Sequence, residues 1–136
     1  MADKNSNIRF TNPPAISAPV GYSHIAEITG GRLVFISGQV ALDADGNLVG
    51  PGDFAAQAEQ VFANLKAALE SVGADFRSVA KLNFYVTDFS QLQAARDIRD
   101  RYVDTANPPA STAVQVSRLF REDLLIEVEA VAVVAA

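Results

Sequence analysis

The apolar positions change period along the chain, and each change marks an element. Ile8–Thr11 suits a short edge strand, and the polar residues 1–7 before it read as a loose end. Pro13, Pro14 and Pro19 keep the next stretch irregular. After Gly21-Tyr22-Ser23-His24 a strand is expected at Ile25–Ile28, then a turn at Gly30-Gly31 and a longer strand over residues 32–41. The run Asp43-Ala44-Asp45-Gly46-Asn47 carries the Asp-Gly signal of a hairpin or tight loop.

From residue 53 the period lengthens to that of a helix. Phe54, Ala58, Val61, Leu65, Ala68, Leu69 and Val72 recur three or four apart, with Asp53 placed to cap the start and Gly73 the end. Residues 79–87 return to period two, with Leu82, Phe84 and Val86 on one face and Lys81, Asn83 and Tyr85 on the other. Ser90-Gln91-Leu92-Gln93 has the spacing of a capping box and opens a second helix to about residue 103. Its stripe is Leu92, Ala95, Ile98 or Arg99, and Tyr102. Asn107-Pro108-Pro109 breaks the chain, and strands over residues 111–118 and 124–134 finish it.

This order predicts an α+β fold in one domain spanning residues 1–136, with no repeat and no linker. Two helices cover one face of such a sheet. The other face should then carry Phe35, Ser37 and Gln39, Lys81, Asn83 and Tyr85, Gln115 and Ser117, and Glu127, Glu129, Val131 and Val133. That mixture is neither a solvent face nor a dry core. It has the character of a subunit interface or a pocket wall, so oligomerisation through the open face follows from the pattern alone.

Composition narrows the function. With 49% hydrophobic and 20% charged residues the chain can bury a core. A net charge of −5 opposes a nucleic-acid partner, which usually demands a basic face. Arg96, Arg99 and Arg101 form the one basic cluster, but they alternate with Asp97, Asp100 and Asp104 and read as a solvated helix face. The absence of cysteine removes disulfides, thiol catalysis and thiolate metal sites. The polar N-terminus is no signal peptide and the apolar run 130–136 is too short to span a bilayer, so a soluble, cytoplasmic protein with no membrane partner is expected.

Several segments, taken in order, resemble the Rid (YjgF) family. They are Gly21-Tyr22-Ser23-His24, Phe35-Ile36-Ser37-Gly38-Gln39-Val40, Gln57, Asn64-Leu65, Val79-Ala80-Lys81, Tyr85-Val86-Thr87-Asp88, Pro109-Ala110-Ser111 and Ile126-Glu127-Val128-Glu129-Ala130-Val131-Ala132. The match is collinear from about residue 21 to 133. The resemblance implies a chorismate-mutase-like α+β fold, a homotrimer with a barrel-like core, and ligand clefts between subunits. It also implies hydrolysis of enamines and imines to a keto acid and ammonia, without a cofactor. In that scheme Tyr22 closes the pocket and Glu127 positions or activates water, while the carboxylate-binding arginine falls at Ser111. A serine hydroxyl donates at most one neutral hydrogen bond where an arginine fork donates two charged ones. Carboxylate-bearing imines are therefore expected to be poor substrates, unless another group such as Arg96 supplies the charge.

The residues can also be weighed by chemistry. Glu127, facing a subunit junction, suits general acid–base work on water if burial raises its pKa; the alternative is a structural partner of Lys81 or Asn83 across the interface. Tyr22 is a pocket wall or a ring packed over the sheet edge. Ser37 and Tyr85, on the mixed face, and Ser111 and Arg96 complete the candidate ligand contacts. His24 is the only histidine and no metal site surrounds it; neighbouring side chains on an extended segment point apart, so Ser23 and His24 should not pair. No metal, nucleotide or flavin signature is present, and Ser37-Gly38-Gln39 lacks the first glycine of a nucleophile elbow. An imine hydrolase, a non-catalytic metabolite-binding trimer, a ribonuclease-like protein and, more remotely, a chorismate-processing enzyme all remain compatible with this sequence.

Overall fold

The computed structural model describes residues 7–136, so the loose end expected at residues 1–7 lies almost entirely outside it. Six strands and two helices follow in the order β1 (Ile8–Thr11), β2 (Ile25–Ile28), β3 (Arg32–Gln39), α1 (Phe54–Ser71), β4 (Val79–Val86), α2 (Leu92–Arg99), β5 (Ala110–Gln115) and β6 (Ile126–Val134). The main sheet runs β3-β6-β4-β5, antiparallel except for the parallel pair β4 and β5. A separate antiparallel ribbon pairs β1 with β2. This mixed sheet with two helices is the α+β arrangement expected.

Helix α1 forms where its ends and its stripe agree. The Asp53 carboxylate accepts from the Ala56 backbone N–H at 3.1 Å, satisfying a donor that the first turn leaves without a partner. Gly73 takes φ +78°; its N–H donates to Glu70 O and that of Ala74 to Leu69 O, a paired closure of the last turn. The buried face includes Phe54, Ala58, Val61, Leu65 and Leu69 as expected, together with Phe62 and Gln57. Phe62 centres an aromatic group with Phe76, Phe84 and Tyr102, the last at a ring separation of 5.3 Å. Gln57 is fully buried; its amide donates to Gly50 O and Asp123 O and accepts from Leu125 N, tying two loops to the helix.

The second helix differs from expectation at both ends. Ser90 does not cap it: Gln91 stands at its N-cap without a side-chain bond, and Asp88 caps the turn before it, its carboxylate accepting from the Ser90 N–H at 3.0 Å and the Ser90 hydroxyl at 2.7 Å. A 3-10 turn over Phe89–Gln91 precedes the α-helix, which ends at Arg99, with a looser turn carrying the chain to Val103.

Alternation along β4 and β6 is as expected. Leu82, Phe84 and Val86, with Val128, Ala130 and Ala132, face the helices. Four positions expected on the other face are not presented there. A bulge between Ile36 and Gln39 sets Gln39 opposite Val128, a helix-facing position. The parallel register pairs Phe84 with Ala113 and Val86 with Gln115, so the odd-numbered residues of β5 face the helices, and Ser117 lies beyond the strand. Val133 is buried with Ile8 and Ala80 under the β1–β2 ribbon. What the open face does present is Ser37, Lys81, Asn83, Tyr85, Thr112, Glu127, Glu129 and Val131, with the apolar side chains of Leu33, Phe35 and Val114 exposed.

Candidate functional site

The candidate residues fall into two groups on opposite sides of the sheet. The first lies along the free edge of β5. The segment before β2 is pinned there by the Ser23 hydroxyl, which donates to Pro108 O at 2.6 Å, by its N–H to Pro109 O at 3.1 Å, and by a parallel bridge to Ala110. This anchoring holds Tyr22, half-buried, over the start of the strand. Ser111, opposite Leu82 in the parallel register, faces the same way. Between that edge and α2 lies a cavity of about 210 Å³ whose wall includes Tyr22, Ser111, Phe84, Arg96 and Arg99.

Arg99 was hidden by its sequence context. The alternation of Arg and Asp suggested a solvated face, yet Arg99 is only 5% exposed. Its Nε donates to Asp100 Oδ1 at 2.9 Å, and Nη2 would lie 2.6 Å from a Cβ at Gly21, which has φ +76° and no side chain. The signal was its place in the stripe, where positions 98 and 99 competed for the buried face. Arg96 is exposed, as expected, but on the wall of the same cavity. Arg101 pairs with Glu59.

The second group lies on the open face. Tyr85 and Glu127 stand opposite each other across β4 and β6, as do Asn83 and Glu129. Glu129 accepts from the Tyr85 hydroxyl at 2.6 Å and from Asn83 Nδ2 at 3.1 Å, while Lys81 Nζ donates to Thr112 Oγ1 at 3.0 Å. The bond to Glu129 holds the Tyr85 phenol above its ordinary range, with burial and the two glutamate charges adding to it. Asn83 and Lys81 are thus engaged elsewhere, and Glu127 has no hydrogen-bond partner among the described residues. Burial pushes its carboxyl up from the ordinary value of 4.5, and the neighbouring Glu129 charge pushes the same way. The Glu127 carboxylate fills the space that a side chain at Gly38 would need, on the bulged stretch that carries exposed Ser37.

His24 and Ser23 do not form a pair. His24 Nε2 is 2.6 Å from Ser17 O and its ring meets Tyr22 edge-on at 5.3 Å, whereas Ser23 is directed to Pro108. Among the described residues no group of three or more His, Cys, Asp or Glu could hold a metal ion, and no helix is long and apolar enough to cross a membrane.

Chemically, then, one edge offers two guanidinium groups, a phenol and a hydroxyl around a cavity. The open face offers a half-buried carboxylate of raised pKa beside a phenol. Residues 13–134 match the family model described as Endoribonuclease L-PSP. The chain is 38% identical over 112 residues to the protein DfrA of Myxococcus xanthus, covering 82% of this chain and 84% of that one. It is 33% identical to the 2-iminobutanoate/2-iminopropanoate deaminase of Mus musculus, over 93% of this chain and 89% of the relative. Among solved structures, a protein of unknown function of the conserved Rid family from Yersinia pestis superposes with a TM-score of 0.84 at 38% identity, over 94% of this chain and 99% of that one.

Proposed function

We propose that this chain, which belongs to the Endoribonuclease L-PSP family that includes the Rid and YjgF proteins, hydrolyses small enamines or imines to a carbonyl compound and ammonia. The observation that carries this reading is Glu127, a half-buried carboxylate of raised pKa with no hydrogen-bond partner among the described residues of its own chain. A structural carboxylate in that setting would be hydrogen-bonded, as Glu129 is. A carboxylate held for proton transfer is left with lone pairs free for water.

The balance of the reaction needs only water. Glu127 takes a proton as the water oxygen adds to the imine carbon and returns it to nitrogen; it then takes the hydroxyl proton of the carbinolamine, which also passes to nitrogen as the C–N bond breaks, the carbonyl forms and ammonia leaves. An enamine first takes a proton at carbon to become the imine. Relatives named 2-iminobutanoate/2-iminopropanoate deaminase support this chemistry. The family's ribonuclease description fits this chain less well, since its net charge is −5 and its largest basic cluster is interleaved with aspartates.

Because Glu127 and the Tyr22–Ser111 cavity lie on opposite faces, one copy does not bring them together. We assign the complete site to a junction between copies, in a homotrimer whose open sheet faces turn inward. Exposed Phe35, Leu33 and Val114 on that face support such burial. Light scattering on a sizing column should return about three times 14.5 kDa. The test of activity generates an imine in situ with an amino-acid oxidase and follows carbonyl release with and without the protein. Glu127→Gln should abolish the acceleration and His24→Gln should retain most of it; equal loss from both, or no acceleration by the unaltered protein, refutes the reading.

A further inference from the structure

An arginine that is 95% buried must place five N–H donors, and Arg99 places one. Its Nε is spent on Asp100, whose side chain is 45% exposed and so compensates the charge only in part. The Arg99 side chain makes no other hydrogen bond among the described residues, and Arg99 forms part of the wall of the cavity beside β5. Buried donors left without acceptors are costly, and the charged ones most of all. The cavity is also not balanced by acids. Of the aspartates that alternate with these arginines on α2, Asp97 is engaged by Gln93 and Asp100 takes only the Nε edge. Arg96, three residues earlier and on the same side of the helix, adds a second guanidinium that has no ion-pair partner among the described residues. Tyr22 and Ser111 contribute neutral polar groups to the same wall.

We propose that Arg99, with Arg96 beside it, binds the carboxylate of a small substrate in this cavity, doing from α2 what Ser111 on β5 cannot. This rests on the hydrolase reading only for the word substrate. The anion site itself stands on the buried guanidinium and its unfilled donors. Two terminal N–H groups of a guanidinium match the two oxygens of a carboxylate, which a lysine or a hydroxyl would not. A cavity near 210 Å³ is smaller than the roughly 300–1,000 Å³ of drug-sized ligand pockets and suits a small molecule. Gly21 is part of the same device, because any side chain there would meet Nη2 and displace the fork. The expectation raised by Ser111 is thereby reversed: carboxylate-bearing imines become the favoured class.

Equilibrium binding separates this from turnover. Isothermal titration of the full chain with pyruvate, and with its neutral amide pyruvamide, should show pyruvate bound at least tenfold more tightly. Arg99→Gln and Arg99→Lys should each weaken pyruvate at least tenfold while leaving pyruvamide within threefold, and Arg96→Gln should weaken it by a smaller factor. Lys66→Gln, a charge-matched change remote from the cavity, should leave it unaltered. Equal affinity of the unaltered protein for acid and amide overturns the proposal without any variant, so a failure of Arg99→Gln to fold does not shelter it. Unchanged pyruvate affinity in the Arg99 variants, or an equal loss in Lys66→Gln, overturns it too. Pyruvate binding with no imine hydrolysis would leave the anion site standing and remove the hydrolase reading; hydrolysis indifferent to Arg99 would do the reverse.

Discussion

The same four strands present two faces that differ in nearly every respect. On the helix side, Leu82, Val86 and Val128 are fully buried and Phe84 and Ala130 nearly so, packed against α1 and its neighbours. On the other side, one register step away, Phe35 is 74% exposed and stands among glutamates, a tyrosine, a lysine and an asparagine. Burial of apolar area determines what the first face tolerates. The second face carries polar groups, of which Lys81, Asn83, Tyr85 and Glu129 bond within the chain while Glu127 has no hydrogen-bond partner among the described residues. The closed face thus makes the fold, and the open face is where the proposed assembly and the proposed chemistry would sit.

The contrast is sharpest where the closed face is damaged. Phe62→Ala removes the ring that meets Phe76, Phe84 and Tyr102, and leaves a cavity that α1 cannot close without losing its seat on the sheet. The expected loss is about 3–5 kcal/mol, read from urea unfolding. A loss below about 1 kcal/mol would mean that the aromatic group is not the centre of the core.

A smaller effect is expected where the core carries a polar residue. Gln57→Leu keeps the volume but leaves Gly50 O, Asp123 O and Leu125 N without their buried partner. About 2 kcal/mol should be lost, less than at Phe62 because the two loops can turn some of these groups to water. Hydrogen exchange should show the extra opening at residues 123–125 rather than across the sheet. Uniform loosening would break the view that Gln57 acts as a local tether.

How much of this was readable from the chain differs between the faces for a physical reason. Helix α1 was legible because stripe, Asp53 cap and Gly73 closure all point the same way. The alternation of β4 was legible because Leu82, Phe84 and Val86 are large and apolar. Strand β5 was not: Ala-Ser-Thr-Ala-Val-Gln has no contrast between its two sides, and its facing is set by parallel register with β4. The bulge at Ser37-Gly38 was equally silent, since the glycine there is required by the Glu127 side chain that lies over it, 89 residues away in sequence. Of the candidate residues, the structure brings Tyr22, Ser111 and Arg96 around one cavity and sets Ser37, Tyr85 and Glu127 on the other side. Arg99, the buried member, was concealed by aspartates that suggested solvent.

The smallest expected change in stability is at Glu127, and its sign distinguishes a working carboxylate from a structural one. Burial and the Glu129 charge raise the pKa of Glu127 in the fold, so the folded state disfavours the ionised form. Below about pH 4.5 the group is protonated in both folded and unfolded chains and contributes nothing. As pH rises from the unfolded value toward the raised folded one, the unfolded chain ionises more easily than the fold, stability falls, and the loss levels off once the folded carboxyl is also ionised. Glu127→Gln removes that penalty without changing shape. The variant should melt higher than the unaltered protein at pH 7–8, and the difference should shrink as pH falls toward and below 4.5. Carboxylates whose pKa is lowered, such as Asp88 and Asp123, destabilise both proteins equally in acid and cancel in the difference. A gain in stability at neutral pH together with loss of hydrolysis is the pattern of a group kept for function against the interest of the fold. If Glu127→Gln were instead less stable at pH 7, the carboxylate would be a charged partner that the assembly satisfies, and the water-activating role would pass to the Tyr85–Glu129 pair beside it.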